Sequence, residues 1–370
     1  MIPVNKPFLP PKSHYLEFID GIWESQWLTN NGINVVNLEK GLEEYLSVDN
    51  LSFVTNGTIA IQMAIKALEI SGEIITTPFS YVATTSSICW EGCTPVFVDI
   101  DKETFNIDPF LIEDSITENT SAILATHVFG NPCNVEKIEE IAKKHNLFVI
   151  YDAAHCFASM YKGESILSFG DISTISFHAT KLFHTVEGGA VITSNEELKN
   201  KIELLRNFGH DGYDKFSGIG INGKNSELHA AMGLCNLNYI DDIINKRRED
   251  SNKYYGLLKL ESLTFQKIQE GTDYNYSYLP IVFESEEVCL NVLDRLNKLG
   301  IYPRRYFYPV LSQLDYVKPV ECPIAENIAS SVICLPLFYD LKESEIELVC
   351  TNIVKILASL NMSRGTFEVK

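Results

Sequence analysis

The chain has 370 residues, 45% of them hydrophobic, enough to bury one large core or two modest ones. Its formal charge of −19 argues against nucleic acid or an anionic membrane as partner, because both select basic surfaces. No apolar run approaches the ~20 residues of a membrane helix, MIPVNKPFLPPKS lacks a signal-peptide core, and the nine cysteines show no pairing pattern, so a cytoplasmic protein is expected.

Residues 15–50 carry Trp23, Trp27 and a helically spaced stretch from Leu38 to Tyr45, ahead of a short strand predicted over Leu51–Thr55. Asn56-Gly57-Thr58 follows, then the apolar helix IAIQMAIKALEI. A strand, a tight polar turn and a helix amino terminus make an anion site, because free N–H groups and the helix dipole converge there. Gly57 allows close backbone approach, and Thr58 offers an N–H and a hydroxyl; an ordinary threonine N-cap explains the same residues too. A strand over Glu73–Thr77 leads into Pro78-Phe79-Ser80-Tyr81-Val82-Ala83-Thr84, which opens a helix running to about Trp90. Tyr81 is placed either to stack on a flat ring or to serve as a half-buried core tyrosine. Strands over 95–99 and 121–126 alternate with helices near 108–116 and 134–145. That βαβα rhythm predicts an α/β fold with a mainly parallel sheet covered on both faces. His127 and Asn131 close the second of these strands, where a ligand contact or a satisfied loop histidine are both open.

The chemistry concentrates between residues 147 and 190. A strand over Leu147–Tyr151 delivers Asp152, a second apolar run ends in Ser176-Phe177-His178-Ala179-Thr180-Lys181, and Glu187-Gly188-Gly189 leads into a third. Ligand-contacting side chains collect at the carboxyl edge of a parallel sheet, so the acid and the lysine can address opposite parts of one small ligand. A lysine followed by glycine turns suits an aldehyde cofactor bound as a Schiff base, with the acid partnering its pyridinium nitrogen. A surface lysine beside a loop is the plain alternative, but it leaves the acid, the serine and the glycines unexplained. A helix over Glu196–Arg206 precedes an irregular loop in which residues 218–223 spell GxGxxG. No clear strand feeds that run, so it is not read as a dinucleotide fingerprint. Ser226 then N-caps a long helix with a small-residue face, Ala230-Ala231-x-Gly233. The charge run Asn245–Asp250 marks the boundary between a large domain (1–240) and a small α+β domain (241–370). In the latter, strands near 278–284 and 331–336 alternate with helices near 286–299 and 343–360, and a poorly ordered tail is expected from Met362. Between them, Tyr302-Pro303-Arg304-Arg305-Tyr306-Phe307-Tyr308-Pro309 clusters arginines and aromatics; guanidinium forks suit a diphosphate, and a tyrosine can cover a base or sugar face.

Asp152-Ala153-Ala154-His155 and Ser176-Phe177-His178-Ala179-Thr180-Lys181 resemble the D-A-A-[QH] and S-F-x-x-x-K segments of the DegT/StrS family of nucleotide-sugar aminotransferases. Gly220, Asn222, Lys224, Ser226 and Glu227 are similar to its G-x-N-x-[RK]-x-[SD]-E segment, and the resemblance covers nearly the whole chain. It implies an aspartate-aminotransferase-like (fold type I) enzyme using pyridoxal 5'-phosphate (PLP), with Lys181 as anchor and proton shuttle and Asp152 keeping the ring nitrogen protonated. It further implies that Tyr81 stacks on the ring and that His155 reaches its phenolic oxygen or a donor carboxylate. Gly57, Thr58 and Ser176 would hold the phosphate, with Asn56 standing where the family has serine. Asn222 would reach a partner's cofactor in a homodimer with shared sites. L-glutamate would be the donor and a keto sugar nucleotide the acceptor, bound by Arg304, Arg305, Tyr306, Tyr308 and Lys224. The run HATKLFHTVEGGA and the Tyr302–Pro309 segment look most like the branch that aminates carbon 4 of dTDP-4-keto-6-deoxy-D-glucose. Alternatives are a carbon-3 or GDP-linked aminotransferase, a PLP-binding regulatory protein, and a nicotinamide-dependent reductase supported only by the glycine motif. No metal site is expected.

Overall fold

Seven strands build the sheet that carries the site: β1 (Leu51–Val54), β2 (Glu73–Thr76), β3 (Thr94–Phe97), β4 (Thr120–Thr126), β5 (Phe148–Asp152), β6 (Ile172–Ser176) and β7 (Gly189–Ile192). Their spatial order in this computed structural model, which describes residues 1–365, is β1-β7-β6-β5-β4-β2-β3. The strands from β2 through β6 pair in parallel, whereas β7 runs antiparallel to both β1 and β6. Helices α1 (Lys12–Ser25), α2 (Ile33–Leu46), α3 (Gly57–Ala67), α4 (Val82–Trp90), α5 (Val135–His145), α6 (Glu196–Arg206), α7 (Glu227–Leu237) and α8 (Ile240–Leu257) surround it.

Period-two alternation divides each strand between two cores. In β4, Ile123 and Ala125 join a core with Leu38 and Leu42 of α2 and Ile138 of α5. Ala122 and Leu124 face the other way, onto Ala60 and Ala64 of α3 and Ile202 of α6. The helix starts are set by side-chain caps: Asn56 accepts from the Ile59 N–H, Asn134 from Lys137 and Ser226 from His229. One expected helix is absent. Residues 109–115 form two short 3-10 turns, because Asp108 caps Phe110 and the apolar run buries Pro109 and Ile112 but leaves Phe110 73% and Leu111 40% exposed, short of a continuous helical face.

The second region packs an antiparallel sheet, β8 (Leu263–Phe265), β9 (Pro280–Phe283) and β10 (Val332–Cys334), against α9 (Glu286–Lys298), α10 (Pro323–Ser331) and α11 (Glu343–Gly365). The charge run expected to mark the boundary lies inside α8. The amino terminus crosses that boundary as well: residues 2–3 pair in parallel with 301–302, and Ile2 sits in the core of the second region with Val292, Ile333 and Val349. The chain then returns to the large sheet. Leu337 donates to Val4 O at 3.0 Å, Asn5 Nδ2 donates to Thr180 O, and His184 Nε2 donates to Phe8 O at 2.7 Å. Helix α11 continues through Gly365, past the expected start of a loose tail; residues 366–370 lie outside the described residues.

Candidate active site

Asp152 is the last residue of β5, and Ser176 the last of the neighbouring strand β6. Parallel register therefore puts the carboxylate and the Lys181-bearing turn at the same edge of the sheet, beside the amino terminus of α3. A cavity of about 1010 Å³ opens there, lined by Asp152, His155, Ser176, Lys181, Gly57, Thr58, Tyr81, Arg304 and Tyr306, among others.

Asp152 is only 5% exposed. Its Oδ2 accepts from Thr84 Oγ1 at 2.7 Å and its Oδ1 from the Ala154 N–H at 3.2 Å. Burial pushes its pKa up, while those two donors and the nearby Lys181 pull the other way. Lys181 is half-buried, and desolvation lowers its pKa to about 8 against the opposing pull of Asp152. Its Nζ lies 5.9 Å from the centroid of the Tyr278 ring. His155 Nδ1 accepts from the Phe129 N–H at 3.1 Å. With Nδ1 an acceptor, the proton of the neutral ring sits on Nε2, and burial holds the pKa well below the ordinary histidine value. Phe307 stacks on the same ring, 5.7 Å away and 6° from parallel.

At the α3 end, Gly57 and Thr58 occupy the first helical turn, where backbone N–H groups lack intrahelical acceptors. Asn56 is engaged as the cap, so its side-chain oxygen serves the helix. The cradle is tight. A Cβ on Gly57 would lie 2.9 Å from Ser176 Cβ, and one on Gly189 would lie 2.6 Å from the Asn56 carbonyl carbon. The antiparallel β7 explains the second contact, because its first residue meets the ligand edge. A compact anion bound by backbone donors at one end, an amine in the middle and a buried carboxylate at the other suit a phosphorylated pyridine aldehyde.

The cationic and aromatic candidates separate. Arg304 lines the cavity; its guanidinium carbon is 5.4 Å from the Tyr306 ring centroid, and it forms no ion pair among the described residues. Arg305 does not line it. Its Nη2 lies 2.8 Å from Glu286 Oε1 and 2.8 Å from Ser330 O, with Tyr308 stacked on it at 3.6 Å. Arg305 and Tyr308 thus face α9 and α10, which corrects the expectation of a paired arginine fork: adjacent residues in an extended segment point to opposite sides. Asn222 and Lys224 also lie outside the cavity, on a loop bridged to the β1 edge, with Lys224 Nζ 3.0 Å from Asn222 Oδ1. His127 is buried away from it, stacked on Tyr151. Tyr278 and Asn225 line the cavity without being singled out by any motif, and Phe307 of the Tyr302–Pro309 segment lines it too; Asn225 ties Val54 O to Glu187 O and carries no periodic signal.

The sequence profile described as the DegT/DnrJ/EryC1/StrS aminotransferase family matches residues 12–354. A dTDP-4-amino-4,6-dideoxy-D-glucose transaminase of Shigella dysenteriae is 42% identical over 360 residues, covering 95% of this chain and 98% of the relative. One of the same name from Escherichia coli is 39% identical over 369 residues, covering 96% of this chain and 98% of the relative. The crystal structure of DesI in the presence of its TDP-sugar product superposes with a TM-score of 0.92 at 29% identity, covering 99% of this chain and 95% of that one.

Proposed function

Because this chain belongs to the DegT/DnrJ/EryC1/StrS aminotransferase family, we propose that it is a PLP-dependent transaminase acting on a dTDP-linked keto sugar. It transfers the amino group of L-glutamate to carbon 4 of dTDP-4-keto-6-deoxy-D-glucose, giving dTDP-4-amino-4,6-dideoxy-D-glucose and 2-oxoglutarate. The observation that carries the chemistry is the convergence of Lys181, Asp152 and the α3 cradle on one cavity. The names of the relatives at 42% and 39% identity support the acceptor and its regiochemistry.

Bound PLP supplies an electron-withdrawing ring that stabilises the charge left when a proton leaves the amino-bearing carbon. The protein supplies the rest. The N–H groups of Gly57 and Thr58, with the Ser176 hydroxyl, would hold the phosphate at the positive end of α3. Asp152 would favour protonation of the ring nitrogen, and Tyr81 would cover the ring. His155 would present its Nε2–H to the phenolic oxygen or a donor carboxylate. Lys181 would hold the aldehyde carbon and would carry the proton to and from the substrate carbon. An amine with a pKa near 8 suits that task, since it exchanges protons close to neutrality.

Asn222 and Lys224 fit a homodimer in which this loop reaches the neighbouring site; a monomer in sedimentation equilibrium would refute that arrangement. A cytoplasmic location is supported by nine free cysteines and by the lack, among the described residues, of a helix long and apolar enough to cross a membrane.

Product identification by NMR after incubation with glutamate, PLP and each keto sugar nucleotide tests the reading. Consumption of the 3-keto isomer and not the 4-keto isomer would overturn the acceptor while leaving the enzyme class. The arginines provide a second check. Removing the charge in Arg304→Gln is expected to raise KM for the sugar nucleotide about 10- to 100-fold, the scale of a hydrogen bond to a charged group, and to spare the glutamate half-reaction. Arg305→Gln is expected to change that KM little, since its fork is committed to Glu286 and Ser330. Steady-state kinetics with each substrate varied separate the two.

A further inference from the structure

Behind Asp152 lies a row of buried hydroxyls that the chemistry above leaves unused. Thr84 Oγ1 is 2.7 Å from Asp152 Oδ2, Ser80 Oγ is 2.8 Å from Thr84 Oγ1, and Thr126 Oγ1 is 2.9 Å from Ser80 Oγ. Ser80, Thr84 and Thr126 are 2%, 0% and 1% exposed. The three come from separate places in the sheet edge: Thr126 ends β4 directly opposite Asp152 in β5, Ser80 lies in the turn after β2, and Thr84 is in the first turn of α4.

With Asp152 ionised, proton counting fixes the direction of the row. An ionised carboxylate only accepts, so Thr84 spends its single hydroxyl hydrogen on Asp152. Thr84 must then accept from Ser80, and Ser80 from Thr126. Every hydrogen points toward Asp152, and each bond polarises the next in a low-dielectric interior.

We propose that Thr126, Ser80 and Thr84 form a one-directional hydroxyl chain that keeps Asp152 ionised and fixed in orientation, making Ser80 and Thr126 positioning residues for amino transfer. The inference rests on the PLP reading above, in which Asp152 meets the ring nitrogen. Burial by itself favours the protonated acid, which would be a poor partner for a pyridinium. Lys181 from the turn after β6 adds a favourable charge, whereas Cys156 and His155, in the loop after β5, are buried groups held neutral by desolvation. Among side chains, the chain of hydroxyls supplies the one hydrogen bond to Asp152 within the described residues. Ser80, Thr84 and Thr126 do not line the cavity, so loss of ligand contact cannot account for an effect of changing them.

The test uses holoenzyme reconstituted with PLP carrying a nitrogen-15 ring atom, whose NMR shift reports protonation of that nitrogen. Thr126→Val and Ser80→Ala are expected to bind PLP but to move the signal toward the unprotonated position. Each should slow the single-turnover reaction with glutamate about fivefold, the scale of one buried hydrogen bond. The acid limb of that reaction should move to higher pH, because a Thr84 hydroxyl no longer polarised by the row donates more weakly to the carboxylate, which raises its pKa. Thr126→Ser, which keeps the hydroxyl, should restore signal and rate. Wild-type signal and rate in both Thr126→Val and Ser80→Ala would overturn the proposal. So would losses that track a lowered melting temperature and are not restored by Thr126→Ser. Failure of the wild-type protein to bind PLP would instead remove the reading on which the proposal rests, and it is visible before any variant is made.

Discussion

Lys181→Ala is expected to retain PLP through non-covalent contacts and to lose turnover by at least ~10²–10⁴-fold, the contribution of a positioned acid–base group. The loss should be larger still where the lysine also anchors the cofactor. Burial lowers the Lys181 pKa to about 8, so the amine is protonated below that value and neutral above it. Capture of PLP by wild-type apo-protein needs the neutral amine and should therefore accelerate as pH rises through about 8. The linkage runs the same way. A lysine whose folded pKa lies below its unfolded value makes the unfolded state bind more protons, so apo-protein stability rises between about 8 and the ordinary lysine range. Below that window the buried charge costs stability, and Lys181→Ala should melt no lower than wild type. Single-turnover absorbance with glutamate, beside thermal melts of the apo-proteins, checks both parts. A variant that keeps a tenth of wild-type turnover would sink the assignment.

Asp152→Asn carries the second large effect. Replacing the carboxylate by an amide of nearly equal shape keeps hydrogen-bonding capacity near Thr84 and Ala154 while removing the charge. The half-reaction with glutamate is expected to fall by ~10²–10³-fold, the scale of losing a preorganised electrostatic partner. Stability should respond in the opposite sense. The folded pKa of Asp152 is raised by burial, so stability declines as pH rises through the window between its unfolded and folded values, and above that window the cost is fully present. The apo-form of Asp152→Asn should therefore melt at or above the wild-type temperature. Coincident loss of stability and activity would show that Asp152 acts through the fold instead.

Much of this arrangement was legible in the chain because it depends on order and period. A strand ending in Asp152, a turn bearing Lys181 and a glycine at the start of α3 are sequence-local features, and parallel pairing alone brings them to one edge. Side-chain direction was not legible in the same way. Arg304 and Arg305 look alike in sequence, yet one faces the cavity and the other Glu286, because Arg304 pairs its backbone with Cys334 and fixes the alternation. The orientation of β7 was hidden for a related reason: an apolar run after two glycines specifies a strand but not its sense. Tyr278 reaches the cavity from the second region, through tertiary packing that no short motif encodes. The hydroxyl row is the extreme case, since Ser80 and Thr126 are 46 residues apart and become neighbours only through strand order.

The path of residues 2–8 has a practical side. This segment pairs with 301–302, accepts from Leu337 and His184, and fastens the carbonyl of Thr180, next to Lys181. Met1 itself is 95% exposed, so an affinity tag fused ahead of it has room to project into solvent. Trimming is another matter. A protease or a shortened expression clone that removes Ile2 through Phe8 cuts a strap joining both regions, takes Ile2 out of the core of the second, and should leave a preparation that grips PLP loosely. Batches purified with an amino-terminal cleavage step are therefore best judged by cofactor content rather than by yield.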